Sequence, residues 1–387
     1  MLQGIKRNFI LLLLLISCHS GFCASDPVEV FLLTLEPGIE PYTIFGHTAI
    51  RIKDDSSHTD RIYNFGTFNF STPHFYWKFL KGDLTYYLST SAFRNYMRAA
   101  IHNNRKVWEQ KLCLDRGEKR KIRDNLEKCY NSAGRYYRYN FFHDNCATRV
   151  RDAIFNALNT TAVYDTGLFC CKTFRQLLDP YISVNYWYDV GINLVLGKEA
   201  DRMASPDDFM FLPDYIMEVV ESAQLTGERQ LIANALPPQH DRNRFSYALP
   251  WIIIALLVLV SLPLRTRKFV FYGVLSAFGL MGLFLLCVSL ISVNSGFRNN
   301  YNIAWLIPSL LILIIRNTGI NDVLKIIYAS LLVLMMIFRN YLPQEVPQTF
   351  LPWILLLVFV LLVNLHTGFS RLSDVGKRSS GTGRLRS

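Results

Sequence analysis

Two patterns of hydrophobicity divide the chain. From Asp26 to Arg244 apolar and polar positions interleave, and from Phe245 to His366 apolar residues run almost without interruption. In the first stretch Val28–Thr34 alternates and predicts a strand, and Glu36–Pro41 is a Pro/Gly turn. Thr48–Ile52 and Arg61–Phe65 predict two more strands, joined by the polar connection Lys53–Asp60. Arg116–Ala133 predicts a helix with Ile122, Leu126 and Tyr130 inward and Gly134 as its stop. Tyr136–Phe142 reads as an aromatic strand or extended segment, and Asn145–Leu158 and Pro206–Ala223 as helices. Strands early and helices later predict an α+β domain. Phe68–Leu88 is dense in aromatic residues interleaved with Lys78 and Lys81, a density that fits either a core or a membrane-facing surface.

In the second stretch the runs Phe245–Leu264, Phe269–Val293, Tyr301–Ile315, Ile320–Phe338 and Phe350–His366 predict a five-helix transmembrane α-bundle. The third run is short and holds Pro308, which predicts a kinked or partly re-entrant segment. With the first domain outside, the inner segments hold Arg265, Arg267, Lys268, Arg316, Lys325, Arg371, Lys377, Arg378, Arg384 and Arg386. The outer loops hold only Arg298 and Arg339. Lys6 and Arg7, the apolar run Phe9–Ile16 and small residues from Ser17 to Ala24 read as a signal peptide cut near Cys23 or Ala24. Leu15-Ile16-Ser17-Cys18 also fits a lipobox, and an uncleaved anchor is the third alternative. The expected organisation is a signal (1–24), a periplasmic domain (25–244), membrane helices (245–366) and a basic cytoplasmic tail (367–387).

Charge and composition then exclude several functions. The net charge of +11 comes from outside the first domain, where 27 basic residues meet 27 acidic ones between Ser25 and Arg244. No basic footprint for nucleic acid exists there. No span carries an acid in its apolar middle, which argues against a proton or ion pathway. No zinc-ligand spacing or phosphate-binding glycine loop is present, so neither metal nor cofactor is expected. The membrane helices then serve either as an anchor or as a platform that holds lipid.

Candidate chemistry gathers at His143-Asp144-Asn145-Cys146-Ala147-Thr148-Arg149. Asp144 or Asn145 suits a helix N-cap, and Cys146 in the first turn has its thiolate favoured by the dipole and free backbone N–H groups. Cys146, Val150, Ala153, Ile154 and Ala157 share one face, which turns the thiol toward the domain body. Cys146 is thus a nucleophile, a core thiol or half of a disulfide. Cys113, Cys129, Cys146, Cys170 and Cys171 make an odd set in that domain, so one stays free unless pairing is intermolecular. A base is needed. His47, after Gly46 and opening a strand with Ala49 and Arg51 on its face, stands out, with a structural hydrogen bond as its alternative role. His143 is close in sequence but not necessarily at the sulfur.

Gly46-His47 before a strand, followed later by Asp144-Asn145-Cys146 at a helix start, resembles the order of circularly permuted papain-like enzymes such as lecithin:retinol acyltransferase. More of the chain is covered by a second resemblance. Phe45–Arg51, Tyr63–Phe68, Asp144–Arg149 and Phe211–Tyr215, followed by the membrane helices, resemble the Lnb family of lipoprotein N-acyltransferases. An aromatic residue is more usual in that family where His143 stands. The resemblance implies a permuted papain-like soluble domain and an acyl transfer by a cysteine thioester. The donor would be a membrane phospholipid and the acceptor the α-amino group of a diacylated lipoprotein. It implies Cys146 as nucleophile and His47 as base. Asn64, with Asp60 second, is the candidate to orient the imidazole, and Arg51 the candidate for the donor phosphate or else a surface ion pair. Asn145 and Arg149, which bracket the thiol, join Arg51 as candidate substrate contacts. An NlpC-like cell-wall amidase and a non-catalytic envelope assembly factor are the rival functions.

Overall fold

Val30, Leu32, Ile50, Ile52, Tyr63 and Phe65 alternate with Leu33, Ala49 and Ile62, and all are buried. Side chains on a strand alternate between faces, so this pattern demands a sheet covered on both sides. The computed structural model describes residues 27–38, 40–165, 167, 171–234, 244–315 and 319–365. The expected signal segment, the tail from 367, Cys170 and Arg316 lie outside the described residues.

The N-terminal part runs β1 (Val28–Leu35), β2 (His47–Asp54), β3 (Thr59–Thr67), α1 (Phe75–Lys81), β4 (Thr85–Ala92), α2 (Phe93–His102), β5 (Val107–Lys111), α3 (Arg116–Tyr130), β6 (Tyr136–Arg138), α4 (Cys146–Phe155), α5 (Phe174–Ile182), α6 (Tyr186–Val195), α7 (Pro213–Ser222) and β7 (Gln230–Ala233). The strands pair antiparallel in the order β6-β4-β3-β2-β1-β5-β7. One face packs on Ile122 and Leu126 of α3, Val150 and Ile154 of α4, and Ile216 and Val220 of α7. Phe93 and Tyr96 of α2 lie over Leu33, Ala49 and Ile62 on the other face. The domain is mixed α/β, and β1, β2 and β3 extend beyond the expected strands by up to two residues at each end. The expected helix over Pro206–Ala223 is broken. A 3₁₀ turn, Asp208–Phe211, stops at extended Leu212, because Pro213 restricts the residue before it and opens α7 at its first position.

The C-terminal part is helical: α8 (Arg244–Ser261), α9 (Leu264–Ile291), α10 (Leu310–Ile315), α11 (Gly319–Ile337) and α12 (Leu351–Val363). Among the described residues Leu264–Ile291 is long and apolar enough to cross a membrane, while Phe245–Ser261 and Gln348–Val363 are shorter apolar helices. The expected third span is a 3₁₀ turn at Tyr301–Ala304, a bend through Pro308 and the short α10. Its irregular backbone lies against glycines of α9. A Cβ on Gly282 would overlap the Leu306 carbonyl, and one on Gly279 would press on Leu311. Non-helical backbone in apolar surroundings persists where neighbouring protein shields it, and glycine permits that approach.

The two parts are joined by polar contacts to backbone. Asn302 Nδ2 donates to the carbonyls of Asn193 and Leu194, both at 3.1 Å, and Asn300 Nδ2 to Leu194 at 2.8 Å. Gln344 Nε2 reaches the Leu196 carbonyl at 3.1 Å, and the Tyr186 hydroxyl donates to the Thr349 carbonyl at 2.7 Å. On the other side of this junction the Val293 N–H donates to the Lys81 carbonyl at 2.8 Å. That bond ties α1 to the end of α9. Tyr76, Trp77 and Phe79 of α1 are exposed there, whereas Phe75 packs on Phe68 and Phe70. The aromatic segment therefore serves as core at one edge and as surface at the other.

Candidate functional site

Local sequence brings three side chains to one place. Asn145 caps α4: its Oδ1 accepts from the Thr148 N–H at 2.9 Å, and Thr148 Oγ1 accepts from the Asn145 N–H at 2.8 Å. This fixes Cys146 in the first turn, where helix N–H groups lack intrahelical partners. Gly46, at φ +75°, turns the chain into β2, and a Cβ there would stand 2.8 Å from the Leu35 carbonyl. His47 then opens the strand directly opposite Leu35. On β3 the ladder slips between Asn64 and Thr67, and Gly66 lies in that bulge at φ +88°. A Cβ on Gly66 would sit 3.3 Å from Cys146 Cβ and 3.8 Å from His47 Cε1. The bare glycine is what lets the thiol reach the imidazole past the sheet.

The Cys146 thiol and the His47 ring lie close enough for each to shift the other's protonation. His47 Nε2 lies 2.5 Å from Asn64 Oδ1. With Nε2 committed to the amide, Nδ1 is the ring nitrogen left for sulfur. Asn64 is held in turn, Nδ2 donating to Thr67 Oγ1 at 3.3 Å and Thr67 sharing a 2.6 Å hydrogen bond with Ser89. Burial pushes the Cys146 thiol up, but the imidazole's charge and hydrogen bond, with the Thr48 and Ala147 backbone N–H groups, bring it below its usual range. Burial pulls His47 down, and the thiolate and the Asn64 amide more than reverse this, so the imidazole lies above its usual value. Opposed shifts of this kind favour a thiolate–imidazolium pair.

The polar groups of the other expected site residues are engaged elsewhere in the fold. Arg51 lies four residues along β2, roughly 13 Å at strand rise. Its guanidinium is held by Asp60 and by Glu109, both at 2.7 Å, and lies over the Phe93 ring at 3.6 Å. Asp60 is thereby engaged with Arg51, not with His47. Asn145 is 3% exposed and spends Nδ2 on the Phe141 and Phe211 carbonyls, so its contacts are with its own fold. Arg149 makes a two-pronged pair with Asp144 and covers the Tyr137 ring at 4.0 Å. His143 Nε2 points to Glu199 at 3.2 Å. Among the described residues Cys113, Cys129, Cys146 and Cys171 are free thiols. Gly66, Thr67 and Ser89 were missed by sequence reasoning. The first two lie in the Tyr63–Phe68 motif, where Asn64-x-x-Thr67 and a glycine inside a strand were available as signals.

Two cavities lie in this region. The first, of about 340 Å³, is lined almost wholly by apolar and aromatic groups, including Phe45, Phe79, Tyr86, Tyr139, Ile192 and Phe297. It lies at the junction with the helical part, and burial followed by the charge of the nearby thiol raises the phenols of Tyr86 and Tyr139. The second, of about 660 Å³, is on the α2 side of the sheet and includes His47, Asn64, Gly66, Tyr96 and Arg105 in its lining. A thiol paired with an imidazole, with a polar cavity at the imidazole and an apolar one nearby, can act as a nucleophile.

Family comparison agrees with both halves of the chain. Residues 21–179 match the model of the Lnb N-terminal periplasmic domain, and residues 243–370 match that of the Lnb transmembrane domain. No curated protein and no solved structure matches the chain. A mixed α/β sheet domain matching the first model is followed, in the same order, by apolar helices matching the second, and the chain belongs to the Lnb family.

Proposed function

We propose that this protein transfers a fatty acyl chain from a membrane phospholipid, through a thioester on Cys146, to the α-amino group of a diacylglyceryl-cysteine lipoprotein. The observation that carries this reading is the alignment of the Cys146 thiol, the His47 ring and the Asn64 amide beside an apolar cavity. His47 Nδ1 takes the thiol proton, and the thiolate attacks the ester carbon. The developing oxyanion is met by backbone N–H groups at the start of α4. The imidazolium returns the proton to the departing lysophospholipid oxygen. In the second half-reaction the lipoprotein amine attacks the thioester, His47 takes the amine proton, and the Cys146 sulfur leaves and recovers it. One covalent intermediate shared by two substrates requires ping-pong kinetics. Asn64 holds the ring in the tautomer that presents Nδ1 to sulfur.

The order of the His strand before the Cys helix supports a permuted papain-like relation for the domain. We place residues 25–244 in the periplasm, 245–366 as five passes of the inner membrane, and 367–387 in the cytoplasm. The cavity at the junction suits an acyl chain drawn from the outer leaflet, with α1 at the lipid surface. Arg51, Arg149 and Asn145 are assigned to the fold, since their polar groups are already engaged. The test is mass spectrometry of an abundant lipoprotein with and without the gene. The expected result is a diacylated peptide with a free α-amino group in the deletion strain. Unchanged triacylated peptide, in a strain with no second enzyme of this activity, would overturn the proposal.

A further inference from the structure

Arg105 is a buried guanidinium without a carboxylate. It is 9% exposed and lines the polar cavity beside His47 and Asn64. Its Nε and one Nη donate to the Glu36 carbonyl, at 3.0 and 2.5 Å. An arginine carries five N–H donors, so most of its fork is left without a protein acceptor among the described residues. The Glu36 carboxylate does not supply one, because Trp108 and Lys106 hold it. Among the lining residues the sole acid is Glu40, which is exposed at the rim. Burial draws the guanidinium down from its ordinary value, and nearby Tyr96 and Tyr42 oppose this only weakly.

Tyr96 supplies a second, independent observation. It lines the same cavity, and its hydroxyl is buried with no hydrogen-bond partner. Unpaired buried polar groups are uncommon in folded proteins. An anion in this cavity would satisfy both groups at once. Placement agrees with the chemistry. Leu35 lies opposite His47 in the sheet, and the next residue, Glu36, anchors Arg105. The guanidinium is thereby set on the polar side of the thiol, away from the apolar cavity. An ester attacked by Cys146 would extend its acyl chain one way and its glycerol and phosphate the other. The acceptor amine is cationic and would gain nothing from an arginine.

We propose that Arg105 and Tyr96 form the subsite for the phosphate of the donor lipid. This rests on the reading of Cys146 as the residue acylated by a phospholipid, but its test does not need turnover. The full-length protein in detergent is dialysed to equilibrium with a radiolabelled short-chain diether phospholipid, which has no ester to cleave. A matched diether glycerol without phosphate is the second ligand, and inorganic phosphate the competitor. Loss of a charge-assisted hydrogen bond predicts that Arg105→Gln weakens phospholipid binding by about tenfold or more, and Tyr96→Phe by roughly fivefold. Arg105→Lys, which keeps the charge but not the fork, should fall between wild type and Arg105→Gln. The phosphate-free diether should bind all four proteins alike. Equal phospholipid affinity in wild type and Arg105→Gln would overturn the subsite, as would equal losses for both lipids. Competition by inorganic phosphate at the affinity of the lipid would mark a free-phosphate site instead. Acyl-enzyme formation from the cleavable diester, measured separately in wild type, decides the acyl-transfer reading on its own.

Discussion

Gly66 is the glycine that lies against both Cys146 and His47, so Gly66→Ala is a sharp perturbation that retains every reacting group. At φ +88° an alanine adopts backbone that L residues disfavour by roughly 1–2 kcal/mol. Its methyl would also stand 3.3 Å from Cys146 Cβ, a contact tight enough that the start of α4 must shift by a few tenths of an ångström. Stability should therefore fall by about 1–3 kcal/mol, within reach of a folded protein. Catalysis should fall further, because displacing a reacting group by even 1 Å can cost about 10²-fold. The assay pairs thermal unfolding with the rate of acyl-enzyme formation, normalised to folded protein. Gly227→Ala is the control, since a Cβ there meets nothing within 4 Å. Wild-type acylation by folded Gly66→Ala, or a loss no larger than the loss of folded protein, would refute the role given to this glycine.

Asn64→Ala should lower the acylation rate by about 10–100-fold while the thiol can still be alkylated, because a hydrogen bond to a charged ring is worth roughly 1.5–3 kcal/mol. Thr67→Val, which only frees the amide to rotate, should cost about fivefold, and a full-sized loss in Thr67→Val would refute this ordering. The thiol lies below and the imidazole above its usual range. Iodoacetamide should therefore keep reacting at Cys146 as pH falls through the ordinary thiol range near about 8.5, and slow only when the thiolate is protonated at lower pH. In His47→Ala only the Thr48 and Ala147 backbone N–H groups oppose burial, so the same profile should move to higher pH. An unmoved profile would count against the ion pair.

The sequence made the sheet's first strands, the helix starting at Cys146 and the division into two halves legible, because each rests on periodicity or capping that acts locally. Val30, Leu32, Ile50 and Ile52 announce their strands by alternation. β4, β5, β7, α1, α2, α5 and α6 were not anticipated. β5 and β7 are short and gain their pairing from neighbours distant in sequence, and α2 begins in the residue after β4 without a side-chain cap. His47 and Cys146 could be singled out by residue type and setting. Arg51 could not be told from Arg105 in that way. Arg51 lies in a predicted strand and Arg105 beside none, and only the fold gives Asp60 and Glu109 to one and a backbone carbonyl to the other. The bulge at Gly66 is likewise a property of strand register, which no local pattern reports.

The account's central claim is that Cys146 becomes acylated, and the direct measurement is intact-protein and peptide mass spectrometry after incubation with isotopically labelled phospholipid. Wild type should carry one labelled acyl group on Cys146, labile to hydroxylamine and lost when a diacylated lipopeptide with a free amine is added. His47→Ala should form it at a rate lower by orders of magnitude. His143→Ala should form it at close to the wild-type rate, since that ring faces Glu199. Label on another residue, or efficient transfer to the lipopeptide by Cys146→Ala, would contradict the account.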